Sequence, residues 1–156
     1  MKLLFLCTHN ACRSIIAESL AKQIGGDIWK VESAGSAPAG HVHPFTLATL
    51  KTRLLPTDDL HSKSWEDVQH FQPDIVITVC DQAAGESCLV WFGQAIKGHW
   101  GLPDPTKREN FSTKEILMAH VILTLDNHLS LLAEAIKSGV DRSQISTILK
   151  QLSEEQ

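Results

Sequence analysis

The chain has 156 residues, 43% hydrophobic and 21% charged, and a formal net charge of −4. That length can bury a core of its own within one domain, and the mild acidity gives no footprint for nucleic acid or an anionic membrane surface. No apolar stretch approaches a membrane span, and Lys2 ahead of a very short apolar run is too little for a signal peptide, so a cytoplasmic protein is expected.

The elements follow in chain order. Lys2–Leu6 contains the apolar run Leu3-Leu4-Phe5-Leu6, too short for a helix and suited to a buried strand. A helix is predicted from about Ser14 to Gln23, stopped by Gly25-Gly26. Ile28–Glu32 alternates and reads as a second strand leading into Ser33-Ala34-Gly35-Ser36. Pro44 suits the first turn of a helix through Phe45, Leu47, Ala48 and Leu50. Leu54–Lys63 is polar and irregular, and Ser64 can cap a short turn containing Trp65-Glu66-Asp67. Ile75-Val76-Ile77-Thr78-Val79 is a β-branched run expected as a buried parallel strand ending on Cys80. His99-Trp100 is a candidate fourth strand, followed by the turn Gly101-Leu102-Pro103-Asp104-Pro105. Ser112–Lys137 reads as a long helix with apolar positions at Ile116, Leu117, Val121, Leu125, Leu129 and Leu132. Asp141 can cap a last helix through Leu149. Alternating strands and helices predict an α/β fold with a parallel sheet, whose ligands bind at the carboxyl ends of the strands. Cys7, Ser33, Cys80 and Asp104 all fall at such ends.

Cys7-Thr8-His9-Asn10-Ala11-Cys12-Arg13-Ser14 lies between the first strand and the first helix. A loop so placed turns backbone N–H groups inward, and the helix N-terminus adds a positive end, which together make an anion cradle. Arg13 can clamp two oxygens of a bound anion with its planar fork. The helix end and Arg13 favour the thiolate of Cys7, and Ser14 can donate to its sulfur. The candidate anion ligands are therefore Thr8, His9, Asn10, Ala11, Cys12, Arg13 and Ser14.

The four cysteines are Cys7, Cys12, Cys80 and Cys88. In a reducing compartment they are catalytic, redox-active or buried before they are permanent cross-links, and none has zinc-site spacing. His41-Val42-His43 is read as loop rather than metal site. No cofactor and no metal are expected.

The Cys7–Ser14 loop, Glu32-Ser33-Ala34-Gly35-Ser36 and Asp104-Pro105 resemble the low-molecular-weight protein tyrosine phosphatase family over roughly residues 1 to 136. The resemblance implies a single catalytic domain over residues 1–156, a four-stranded parallel sheet flanked by helices in three flavodoxin-like layers. It implies Cys7 as nucleophile, Arg13 as oxyanion clamp, Asp104 as general acid, and Asn10 and Ser33 as loop supports. Two features depart from the phosphatases. Thr106-Lys107 replace the aromatic residues usual after Asp-Pro, and a cysteine pair, Cys80 and Cys88, follows the third strand. With His99-Trp100-Gly101-Leu102-Pro103-Asp104-Pro105, this is similar to the arsenate reductase branch of the superfamily. That similarity implies arsenate as substrate, Cys80 as second thiol and Cys88 as the thiol that resolves the disulfide, with loop movement to pass it on. Cys12 is assigned to packing or protection. Seven residues separate Cys80 from Cys88 where thioredoxin-coupled relatives have six, and Leu89 stands where proline is frequent. The electron donor implied is glutathione with glutaredoxin, slightly favoured, or thioredoxin. Some relatives bind potassium beside the loop through an acidic residue that His61-Ser62-Lys63-Ser64 lacks. The alternative activity is phosphatase action on phosphotyrosine or small phosphoesters.

Overall fold

The computed structural model describes residues 1–81 and 92–156. Four parallel strands, β1 Lys2–Cys7, β2 Lys30–Gly35, β3 Ile75–Thr78 and β4 Ile96–His99, form one sheet in the order β2-β1-β3-β4. The helices are α1 Arg13–Gly25, α2 Pro44–Thr52, α3 Phe111–Lys137 and α4 Arg142–Glu154, with short 3₁₀ turns at Trp65–Phe71 and Pro105–Lys107. The α/β class and the four-stranded parallel sheet are as the sequence predicts.

The sheet is buried on both faces, which is why β1 and β3 read as unbroken apolar runs. Leu3, Phe5, Ile75 and Ile77 face the larger core, shared with Ile15, Ile16, Leu125, Leu129 and Trp100. Leu4, Leu6 and Val76 face a smaller one with Val68, Phe92 and Ala95. Cys7 continues the odd-numbered face of β1 and sits at the rim of the larger core. The register pairs Cys7 with Gly35, Leu6 with Thr78, and Thr78 with His99, so the strands' carboxyl ends are level at one edge. The chain reverses its winding direction between β1 and β3, and a crevice opens at such a switch point.

Strand limits shift from expectation: β1 runs on to Cys7, β2 runs on to Gly35, and β3 stops at Thr78. β2 starts at Lys30 rather than Ile28. Ile28 N–H is used by Gly25 O, and the Trp29 indole donates to Ala21 O at 2.7 Å, so both residues complete the turn after α1. β4 spans Ile96–His99, and Trp100 lies beyond it with its indole on Leu149 O at 3.2 Å.

α3 also corrects two readings. Its buried residues are Met118, Val121, Ile122, Leu125, His128, Leu129, Leu132 and Ala133, whereas Ile116 is 70% exposed. The helix begins at Phe111, and Ile116 lies on its outer face, half a rotation from Leu125. By length and composition α3 is also apolar enough to cross a membrane, contrary to the expectation that no stretch is. Its buried stripe packs on the sheet and α1, which gives it the place of a core helix.

Candidate active site

β1 ends on Cys7 and α1 begins at Arg13, and the loop between them is held from outside. Thr8 O, His9 O and Ala11 O accept from the backbone N–H groups of Ala37, Ala39 and His43 at 2.9, 2.9 and 3.0 Å. With those carbonyls committed outward, the loop's N–H groups are left to the concave side. The His9 N–H lies on the Cys7 sulfur. α1 has no side-chain N-cap, so its first N–H groups also await an acceptor.

Asn10 is the hub. It is fully buried and left-handed at φ 48°, a region Asn enters more readily than most residues. Its Nδ2 donates to Ser14 Oγ at 2.8 Å and Ser33 Oγ at 3.0 Å, and its Oδ1 accepts from Lys63 N at 2.9 Å. Ser33 Oγ donates onward to Glu18 Oε1 at 2.6 Å. Gly35 lets β2 approach: a Cβ there would stand 2.5 Å from Thr8 O and 2.8 Å from Cys7 O.

Arg13 crosses to the loop after β4. Its Nη1 donates to Leu102 O at 2.8 Å, and its Nη2 lies 3.5 Å from Asp104 Oδ2. Asp104 Oδ1 accepts from Thr106 N at 3.0 Å and Thr106 Oγ1 at 2.6 Å. Arg13 Nε is buried without a partner among the described residues, a charged donor that an anion would satisfy.

Cys7 and Cys80 are each 4% exposed, and the Cys80 side chain is the largest influence on the Cys7 thiol. Thr8 Oγ1 lies 3.6 Å from Cys80 Sγ. The expectation that Arg13 and the helix end depress the Cys7 thiol is not met. The Cys80 hydrogen bond and burial push Cys7 far above the ordinary thiol value, against the lowering pull of Arg13 and the His9 N–H. Nor is the Cys7 sulfur paired with Ser14, whose Oγ accepts from Asn10. Burial pushes Cys12 up to about 12, with Asp104 adding to it and Thr46 opposing. That suits a packed thiol better than a reactive one.

The structure thus brings together Cys7, Thr8, Asn10, Arg13, Ser14, Ser33, Cys80 and Asp104. Cys88 lies outside the described residues. His43 caps α2 through its Nδ1, which accepts from Phe45 N at 3.1 Å. Sequence reasoning missed Glu18 and Lys63. Glu18 carries a legible signal, a carboxylate inside the otherwise uncharged run Ser14–Ala21, every residue of which is buried. The potassium site of some relatives does not fit, because the Lys63 ammonium already stands 3.8 Å from Glu18 Oε1 and 3.4 Å from Glu32 Oε2.

The family profile for low molecular weight phosphotyrosine protein phosphatase matches residues 2–143. The chain belongs to that phosphatase family. Within it, this phosphatase-family chain falls in the arsenate reductase branch. An arsenate reductase of Bacillus licheniformis is 37% identical over 106 residues, covering 67% of this chain and 74% of that protein. The thioredoxin-dependent arsenate reductase of Corynebacterium glutamicum superposes with a TM-score of 0.69 at 29% identity. It covers 89% of this chain, which spans only 63% of that longer one. The YwlE arginine phosphatase reaches a TM-score of 0.71 over 89% of this chain and 97% of its own at 22% identity, a likeness of fold alone. The family member described here is accordingly an enzyme of the arsenate reductase or low-molecular-weight phosphatase kind.

Proposed function

We propose that the chain is a single-domain cytoplasmic arsenate reductase. The observation that carries the reading is a second buried thiol beside the anion loop: Cys7 ends β1, Cys80 follows the neighbouring β3 with its Sγ 3.6 Å from Thr8 Oγ1, and both are 4% exposed. A phosphatase needs the first sulfur and has no use for the second.

Arsenate has the charge and tetrahedral shape of phosphate, so the loop N–H groups and Arg13 would hold it as they would hold phosphate. The Cys7 thiol passes its proton to an oxygen of the bound arsenate as its sulfur attacks arsenic, and Asp104 protonates the departing oxygen, which leaves as water. The Cys80 thiolate then attacks the Cys7 sulfur. An S–S bond forms, the As–S bond breaks, and its electron pair stays with arsenic, now trivalent. Two thiols and one arsenate become one disulfide, one arsenite and one water. Cys7 ends β1 and Cys80 follows the adjacent β3, so the first disulfide would join neighbouring chain segments. Cys88 would next take over Cys80 by exchange and present the disulfide to a reductant. The donor is glutaredoxin with glutathione, or thioredoxin, and the thioredoxin dependence of the Corynebacterium glutamicum neighbour weighs toward the latter.

The test is arsenate-dependent thiol consumption with each donor system, for wild type and Cys80→Ser, beside hydrolysis of an aryl phosphate. The expected result is arsenate turnover that Cys80→Ser abolishes while aryl phosphate hydrolysis survives. Undiminished arsenate turnover in Cys80→Ser would show an external thiol in its place. Aryl phosphate hydrolysis with no arsenate turnover by wild type would identify a phosphatase instead.

A further inference from the structure

Lys63 is a buried cation that the proposed chemistry does not use. Its side chain is 7% exposed. Its Nζ faces Glu18 Oε1 at 3.8 Å and Glu32 Oε2 at 3.4 Å, and donates to His61 O at 3.4 Å. Its main chain is tied to the site as well. Lys63 N donates to Asn10 Oδ1 at 2.9 Å, and Lys63 O accepts from Gly35 N at 2.9 Å. Glu18, 1% exposed, receives Ser33 Oγ at 2.6 Å on one oxygen and Lys22 Nζ at 2.5 Å on the other. A carboxylate therefore lies beneath the loop that is built to receive an anion, two hydrogen bonds away from its hub. An unneutralised charge there would repel the incoming anion and would be costly to bury.

We infer that Lys63 is a positioning residue, a tethered cation that, beside Lys22 on Glu18, balances the second charge of the Glu18 and Glu32 carboxylates beneath the loop and so holds Ser33 and Asn10 in the anion-binding arrangement. A covalently attached ammonium is present at every salt concentration. The site should then be indifferent to small monovalent cations that a bare carboxylate pocket would recruit.

The inference rests on the loop being the anion site, not on arsenate being the substrate. It is tested by calorimetric binding of inorganic phosphate and by aryl phosphate kinetics. Lys63→Met should weaken phosphate binding and raise KM by about tenfold or more, as expected when a buried charge loses its partner. Glu18→Gln with Lys63→Met should recover most of that loss, since the uncompensated charge is gone. Lys63→Ala should be rescued by potassium or ammonium chloride against tetramethylammonium chloride at equal ionic strength, whereas wild type should not respond.

Phosphate binding by Lys63→Met within about twofold of wild type overturns the inference. So does a double variant no better than Lys63→Met. If Lys63→Met does not fold, the double variant must fold and bind, and its failure to do so also overturns it. A wild type that binds no phosphate sinks the anion-site reading itself, and the lysine inference with it.

Discussion

The sulfur of Cys7 is pulled in opposite directions by its neighbours. Arg13 and the His9 N–H favour the thiolate, while the Cys80 hydrogen bond and burial favour the thiol and prevail. Cys80→Ala removes the largest raising cause. The Cys7 pKa should therefore fall, and alkylation of Cys7 by iodoacetamide near neutral pH should speed up. An unchanged pH profile of alkylation would show that Cys80 does not govern Cys7. Gly35 offers a second test at this scale. A methyl group there would meet the backbone oxygens of Thr8 and Cys7, which cannot move without moving the loop. Gly35→Ala should cut aryl phosphate kcat/KM by more than about tenfold, through the misplaced cradle. Wild-type kinetics would contradict the close approach. The roles proposed for Cys7, Arg13 and Asp104 were legible because their spacing encodes the chemistry. The pairing of Cys7 with Cys80 was not, because residues 73 apart in sequence are brought side by side only through the β1–β3 register. Lys63 was hidden for a like reason: nothing near it in sequence announces that its neighbours in space are Glu18 and Glu32.

α3 carries the element-scale predictions. Leu129 is fully buried against the sheet, and Leu129→Ala should lower unfolding free energy by about 2–5 kcal/mol in denaturant titrations. Ile116→Ala, at 70% exposure, should change it by less than about 0.5 kcal/mol. One turn from Leu129's neighbours, His128 is 2% exposed beside Trp100, with ring centroids 4.9 Å apart. Burial lowers its pKa against the opposing pull of Glu155. The folded chain therefore prefers the neutral ring. Its contribution is complete above the ordinary histidine value of 6.5 and is lost as pH falls below it, because the unfolded chain takes up the proton first. His128→Leu should flatten the loss of stability between about pH 7 and pH 5.5. An equal slope in the variant would remove His128 from the acid response. The helical period of α3 was readable from sequence, but its inner face was not fully so. Ile116 stands nine residues before Leu125, half a rotation round the helix, so with Leu123 it belongs to the outer face rather than to the buried stripe.

At the scale of the whole molecule, sheet order brings the site together. Alternating apolar strands and helices sufficed to predict a parallel sheet. The order β2-β1-β3-β4 places β1, with its loop, between Ser33 on one side and Cys80 on the other. The start of β2 is set by the turn that Ile28 and Trp29 complete against α1, and Trp100 beyond β4 is tied to the distant Leu149, neither of which apolar alternation reports. Two adjacent thiols, Cys7 and Cys80, are proposed to supply the two electrons for one oxyanion. A single turnover of the reduced Cys88→Ser enzyme with arsenate and no external thiol tests this. One arsenite released per chain is expected, with a Cys7–Cys80 disulfide in the peptide map. Release of no arsenite, or release with Cys80 still a free thiol, would contradict it.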